Sequence, residues 1–400
     1  MPDNKRLSIL YIYRSFFPEV GSVRIINEIA FFMAKKDHDV KVITTAFGSN
    51  RVVQFRYGGV NVIRVPFRLA KGDLLKSSIL NHFFLPAISL PFALVSKKSD
   101  IVECSNYPMT LWLVGYLVKL TKGSKLAVRV DDLHPQSAVE LGLIKNKFLI
   151  KLLSILSRLM YLKSDLIVTH SNENKRLIVK NGAFPEKIKV IGLWADLETI
   201  QKFTKNPSEL PTGMFEKGFT ITFAGLMSYA QGLETIVEAA RLLSNMKGIR
   251  FLMIGKGPVL SSLMARAKGL DNIKFWNFLP QEQYLTAIMK SDLCLVPLSK
   301  GLVQTPSKLI EIMALGKCVI LIASRDSSAT RIVNEASCGV VVEPSSPKEL
   351  AKSILFLYNN ESLLRELGKN GADYVAQNLS LEICGKQYEW TLKQLLGHRK

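Results

Sequence analysis

The feature that most constrains this chain is an alternation. From residue 219 onward, short apolar runs recur at 219–224, 250–254, 273–276, 293–297, 318–322 and 339–343, each alternating with a stretch of helical spacing. Runs this short and this apolar suit strands buried on both faces, as in a parallel sheet that helices cover from both sides. The first half follows the same rule. Strands are expected near 7–13, 40–45, 61–65, 100–104, 126–130, 165–169 and 188–191, and a helix at 23–36 completes a βαβ unit. Between 197 and 217 the alternation lapses into polar residues with Pro207, Pro211 and Gly213, so a linker is expected there. Helices are expected near 347–359 and 380–396. A chain of 400 residues holds about two domains of ordinary size. The expected architecture is α/β, with Rossmann-like domains at 1–200 and 201–379 and a last helical segment at 380–400. Two such domains facing each other would leave a cleft at the carboxyl ends of their strands, where α/β sheets bind ligands.

Composition narrows the class. At 48% hydrophobic and 22% charged residues the chain can bury two full cores. Five cysteines at 104, 294, 318, 338 and 384 are odd in number and lack paired spacing. That argues for reduced thiols in a cytosolic setting, against a disulfide framework or a zinc site. Residues 7–13 are too short for the apolar core of a signal peptide, so no secretory leader is expected. The net charge is +20, and residues 41–130 hold 13 Lys/Arg against 3 Asp/Glu. Such a bias implies an anionic partner: nucleic acid, a membrane surface or a phosphorylated substrate. No motif of stacking aromatics among basic residues appears, which argues against a nucleic-acid module. The basic excess accompanies apolar helices instead. The run 79–95 is nearly all apolar, but Asn81, His82, Pro86 and Pro91 interrupt it, so a broken surface helix is expected in place of a membrane span. Residues 145–163 are amphipathic, with Lys147, Lys151, Arg158 and Lys163 set among Leu, Ile and Met. They suit a core helix with a basic edge and an interfacial helix equally.

The loops that follow strands in the second half carry the chemistry. Thr305 is placed to cap a helix, with Pro306 at its first position and Gly316 stopping it about three turns on. Lys308 and Glu311 share one face, while Leu309, Ile312 and Met313 form an apolar stripe. A helix N-terminus with a lysine beside it suits a diphosphate, and Glu311 can accept two hydroxyl hydrogen bonds from a ribose. Together they fit one end of a nucleotide-sugar. An ordinary ion pair on a solvated helix has the same spacing. Gly225 and Gly232 bracket the turn after 219–224, and Gly255-Lys256-Gly257-Pro258 follows 250–254; such glycines let backbone approach a ligand. The loop after the first strand has one glycine, Gly21, where a dinucleotide fingerprint needs three, so NAD is not indicated.

These stretches, in this order, resemble the family 4 glycosyltransferases of the GT-B architecture, nearly end to end. Pro18-Glu19-Val20-Gly21-Ser22 is similar to that family's N-terminal glycine loop, and Pro185-Glu186-Lys187-Ile188-Lys189-Val190-Ile191 to the segment entering its linker. The stretch 225–240, Gly255-Lys256-Gly257-Pro258, Phe278-Leu279-Pro280 and 306–319 are similar to its donor site. Within the family the chain looks most like bacterial L-fucosamine and related polysaccharide transferases. The counterparts are Ala230-Gln231-Gly232-Leu233-Glu234, Pro306-Ser307-Lys308 and Asp132-Leu133-His134-Pro135-Gln136-Ser137. The resemblance implies transfer of a sugar from a nucleotide-sugar with retention at the anomeric carbon. No cofactor beyond that co-substrate and no required metal are expected. It implies donor contacts from Gly21, Gly225, Gln231, Gly255, Gly257, Phe278, Leu279, Thr305, Pro306, Ser307, Lys308 and Glu311. Catalytic roles fall to Lys308 and Glu311, with Asp132 and His134 on the acceptor side, and the last helix should pack back on the first domain.

Four positions depart from the family pattern. Leu226 and Gln231 stand where an Arg and a Lys usually meet the diphosphate, Val303 where a further Glu is usual, and Asp131 where a histidine is frequent. Diphosphate neutralisation therefore shifts onto Lys308 and the amides of 305–307. Asp132 and His134 have a plainer alternative, as a turn cap and a surface polar residue. The expected partners are a UDP-linked sugar, with an N-acetylated hexosamine favoured, a lipid-linked or growing glycan acceptor, and an anionic membrane surface at its cytoplasmic face. The rival readings are a nucleotide-sugar epimerase or hydrolase of the same architecture and a basic nucleic-acid-binding module.

Overall fold

The computed structural model describes residues 5–17, 24–47, 51–67, 74–140, 142, 144–302 and 305–397. Gly21 with its loop at 18–22, and Val303, lie outside these. The chain divides into two compact units, Met1–Gly192 with Cys384–Lys400, and Leu193–Ile383.

The first unit is built on eight strands: β1 (Ser8–Ile12), β2 (Asp39–Phe47), β3 (Val53–Tyr57), β4 (Val60–Phe67), β5 (Ile101–Ser105), β6 (Lys125–Arg129), β7 (Leu166–Thr169) and β8 (Ile188–Val190). They lie in the order β3-β4-β2-β1-β5-β6-β7-β8. All pairings are parallel except β3 with β4. That hairpin turns through Gly58 and Gly59, both at positive φ. The apolar pattern did not predict β3, because it is an edge strand exposed along nearly its whole length.

The second unit holds β9 (Phe219–Ala224), β10 (Ile249–Ile254), β11 (Ile273–Trp276), β12 (Leu293–Pro297), β13 (Cys318–Ile322) and β14 (Gly339–Val342). All are parallel, in the order β11-β10-β9-β12-β13-β14. The chain winds outward from β9 through β10 to β11, then returns past β9 and winds the other way from β12. Each sheet thus has one switch point, between β9 and β12 here and between β1 and β5 in the first unit, where neighbouring loops diverge and open a crevice. The core of the second unit is continuous from Ile221 and Phe223 on β9 to Leu350 and Ile354 on the helix Pro347–Tyr358.

Four local expectations are corrected. The polar stretch from 197 begins with a helix, Leu197–Lys205, because Asp196 caps it by accepting from the Thr199 amide. A helix at Glu361–Asn378, absent from the sequence reading, buries Leu364, Gly368, Gly371 and Val375, two of them glycines with no apolar side chain to betray the face. The expected broken helix is a single one, Leu74–Val95, with Pro86 and Pro91 inside; a proline removes one rung of the ladder without always ending it. Thr305 does not cap the helix that follows, as described below.

The helix Lys147–Lys163 is capped by Asn146, whose side chain accepts from the amides of Phe148 and Leu149. It buries only Ser157, Met160 and Tyr161. Phe148, Leu152, Ile155 and Leu159 stay exposed, Phe148 at 78%. At spacings of four, three and four these form one stripe along the helix.

The helix Leu381–Gly397 joins the first unit from Cys384 onward. Cys384, Tyr388 and Leu392, four apart, form its buried face. Gly385 lies so close to Phe32 that a Cβ would meet its ring at 2.7 Å. Replacing Leu392, fully buried, with Ala should destabilise the first unit by about 2–5 kcal/mol through the lost contacts and the cavity left behind. The exposed Ile383→Ala should change little. Scanning calorimetry of both variants checks this: equal transitions would show that the helix is not integral to that core.

Candidate active site

The loops that leave β9, β10 and β12 are tied to one another by backbone. Gly225 N–H donates to Ile254 O at 2.9 Å, Met227 N–H to Lys256 O at 2.9 Å, and Ser299 N–H to Ala230 O at 2.9 Å. This packing explains two glycines that the sequence reading gave to the ligand. A Cβ on Gly255 would lie 1.9 Å from Gly225 O, and one on Gly257 would lie 2.1 Å from Met227 O. Those glycine faces are filled by the neighbouring loop. Gln231 is also engaged: Oε1 accepts from the Ser228 amide at 3.0 Å and its hydroxyl at 2.6 Å, closing a capping box over the turn Tyr229–Gln231. Phe278 is half exposed with Lys256 Nζ 5.0 Å from its ring centroid, whereas Leu279 is buried.

The helix Ser307–Ala314 opens at Pro306, which takes the cap position in extended conformation, with no side chain capping the first turn. Thr305 was expected in that role. It is buried, and its hydroxyl pairs with that of Ser328 at 2.7 Å, so it anchors the loop to the next helix, Ser328–Ala336. The helix is also shorter than three turns, at eight residues, and Gly316 ends it with φ at 68°.

Lys308 is not one half of a solvated ion pair. Its stem is half-buried and its Nζ fully covered, with no hydrogen-bond partner among the described residues. The ammonium sits 4.5 Å from the centroid of the Phe223 ring. A Cβ on Gly225 would come within 2.6 Å of Nζ, so a side chain there would push the ammonium aside. Burial lowers the Lys308 pKa to about 8, with Glu311 opposing the shift. Glu311, one turn on, accepts from Tyr284 Oη at 3.5 Å. Lys308, Glu311, Gly225 and the uncapped start of the helix Ser307–Ala314 thus come together at the carboxyl end of the sheet.

In the first unit, charged side chains lie inside otherwise apolar strands. Glu103 on β5 and Arg129 on β6 are both buried, with Arg129 Nε 3.7 Å from Glu103 Oε1. Tyr13 and Tyr388 donate one hydroxyl each to the two oxygens of Glu103. Burial, followed by the Glu103 charge, raises both phenol pKa values, so they remain donors. Burial would lower the Arg129 pKa, but Asp131 and Glu103 outweigh it and the net shift is upward. Arg129 Nη1 also lies 3.6 Å from Asp131 Oδ1. The Asp131 carbonyl accepts from Asn174 Nδ2 at 3.0 Å and lies 3.0 Å from His170 Nε2. Asp132 is exposed, and His134 packs its ring 5.2 Å from that of Tyr107. Of the acceptor-side expectations, His134 joins an aromatic contact while Asp132 faces solvent. Sequence reasoning missed Glu103, Arg129 and Phe223. A Glu and an Arg in the middle of buried strands were a readable signal; an apolar Phe in one was not. Among the described residues, no three His, Cys, Asp or Glu side chains cluster as a metal site would require.

Residues 21–199 match the family described as Glycosyltransferase Family 4, and residues 208–374 match Glycosyl transferases group 1. The chain carries both kinds of domain; it is a glycosyltransferase, and its fold is GT-B. It is similar to the probable glycosyltransferase WbjE of Pseudomonas aeruginosa, 24% identical over 83% of this chain and 84% of the relative. It is also similar to the N-acetyl-alpha-D-glucosaminyl L-malate synthase of Bacillus anthracis, 23% identical over 93% and 94%. Among solved structures, Anabaena HepE in complex with UDP has a TM-score of 0.69 at 16% identity, covering 97% of this chain and 100% of that one.

The buried, unbonded ammonium has a stability consequence of definite sign. Because the Lys308 pKa falls from 10.5 to about 8 on folding, the unfolded chain holds more protons between those values. Stability should therefore rise with pH through that window, while below pH 8 the full cost of the buried charge is present. Lys308→Met, which keeps the stem and removes the charge, should stabilise the second unit by about 1–4 kcal/mol at pH 7. The gain should shrink towards pH 10. Thermal unfolding of both proteins at the two pH values checks this, and a variant less stable than the wild type at pH 7 would contradict it.

Proposed function

We propose that this glycosyltransferase is a retaining enzyme that takes its sugar from a UDP-linked donor. The observation that carries the reading is Lys308: a covered ammonium with no hydrogen-bond partner among the described residues, beside the uncapped start of the helix Ser307–Ala314 and one turn from Glu311. Buried donors without acceptors are rare in folded proteins. A diphosphate would fill those vacant valences, and Glu311 is placed to accept from a ribose diol. The UDP in the HepE complex supports the choice of nucleoside. An N-acetylated or other amino sugar is favoured by the named product of the Bacillus anthracis relative and by the resemblance to L-fucosamine transferases. Catalysis then comes from orienting the donor and stabilising the departing diphosphate, which itself takes the acceptor proton. Asp132 and His134 are assigned to the acceptor side.

The acceptor is a lipid-linked or growing glycan at an anionic membrane surface. No helix among the described residues is long and apolar enough to cross a membrane. The exposed stripe Phe148, Leu152, Ile155 and Leu159, with Lys147, Lys151 and Arg158 around it, suits the interface of an anionic bilayer. Phe83 and Phe84 on the helix Leu74–Val95 are exposed as well. The proposed place of action is the cytoplasmic face of that membrane.

Thermal-shift titration with nucleoside diphosphates and nucleotide-sugars tests the donor assignment. A ligand at a hundred times its dissociation constant should stabilise the enzyme by about 2.7 kcal/mol. Glu311→Ala, with its fold verified by circular dichroism, should bind UDP roughly ten- to a hundredfold more weakly, since a hydrogen bond to a charged group contributes about 1.5–3 kcal/mol. Unchanged UDP affinity would remove Glu311 from the ribose site. The anomeric configuration of the product, read by NMR, decides retention.

Flotation with anionic liposomes tests the membrane assignment. Each basic residue near the surface contributes about 1 kcal/mol, so Lys147, Lys151 and Lys163 changed to Glu should release the protein while leaving UDP binding intact. Failure of the wild type to float at low salt would point to a soluble acceptor.

A further inference from the structure

Among the described residues no group hydrogen-bonds the Lys308 ammonium, but an aromatic ring lies against it. We propose that Phe223 is a positioning residue of the donor site, its ring holding the Lys308 ammonium in place and unbonded until an anionic phosphate reaches it. The inference rests on the donor reading above and concerns how that site stays ready.

Phe223 is fully buried near the end of β9 and lies opposite Met253 in the register with β10, so its ring is fixed by the sheet. The ammonium lies 4.5 Å from the ring centroid, within range for attraction to the negative face of the ring. From β9 the groups facing Nζ are Phe223 and Gly225, neither titratable. From its own helix the charge acting on it is Glu311.

An ammonium carries three donors and accepts nothing. Had an Asp or Asn stood at 223, it would have satisfied one donor, and an arriving phosphate would have to break that bond. An aromatic face attracts the charge while leaving every donor vacant. It opposes the desolvation that favours the neutral amine, so the lysine stays nearer the charged form that a diphosphate needs. Gly225 completes the device by leaving space for Nζ.

The experiment measures the affinity for UDP, with inorganic pyrophosphate as a second probe, between pH 7 and 10 for wild type, Phe223→Leu and Phe223→Met. Wild-type affinity should fall about tenfold per pH unit above the Lys308 midpoint. Removing the ring should move that midpoint down by roughly 0.5–1.5 pH units while changing affinity at pH 7 far less. Phe223→Met keeps an apolar side chain of similar reach if the leucine variant folds poorly. A series of fluorinated phenylalanines at 223, which weakens the ring's negative face at nearly constant shape, should move the midpoint in steps. A midpoint unmoved in a folded variant overturns the inference, and so does an equal loss of affinity at every pH, the mark of a packing role alone. Pyrophosphate binding with the shifted midpoint but no UDP binding would sustain Phe223 and overturn the nucleoside assignment. Binding of neither probe would overturn both.

Discussion

Parallel pairing with both faces covered is the constraint on which this structure depends. Every crossover between neighbouring parallel strands must be right-handed, so helices can cover both faces of one sheet only if the winding direction reverses once. In the second unit that reversal falls between β9 and β12. The loops leaving those two strands must diverge, and the opening between them is where Gly225, Ser299 and the start of the helix Ser307–Ala314 converge. The same reversal between β1 and β5 in the first unit brings Tyr13 and Glu103 together. The site residues are thus placed by topology before any of their own chemistry is considered.

Both units bury charge. Glu103 and Arg129 face each other, and two tyrosine hydroxyls, one from the last helix, fill the oxygens of Glu103. Removing one partner of such a set leaves an uncompensated buried charge, which costs about 3–5 kcal/mol. This cluster therefore ties the helix Leu381–Gly397 to the central strands with polar specificity as well as apolar area. Lys308 is a covered charge with no hydrogen-bond partner among the described residues.

The strand pattern was legible in the sequence because parallel strands buried on both faces must be continuously apolar. The six runs from 219 onward became β9 to β14 with ends shifted by a residue or two at most. Where a strand lay at an edge, as β3 does, that requirement lapsed and the signal vanished. The helix Glu361–Asn378 escaped for a related reason, since Gly368 and Gly371 make close backbone contacts with no apolar side chain to mark them. Lys308 and Glu311 were legible as a pair because helical spacing fixes which residues share a face. Glu103 and Arg129 were visible as anomalies in apolar runs, though nothing local joined them.

What the sequence by itself determined was the local periodicity: strand, turn, helix, and the order in which they follow. Those depend on neighbours within a few positions and on the solvent preference of each side chain. The tertiary structure alone decided what Lys308 is. A lysine three residues before a glutamate is a surface pair if both heads reach water. It is a buried ammonium if a ring from a strand 85 positions earlier lies beneath it. The same holds for Gly255 and Gly257, whose missing side chains accommodate the carbonyls of another loop. Desolvation and close backbone approach depend on what packs from outside the segment, and no local pattern carries that information.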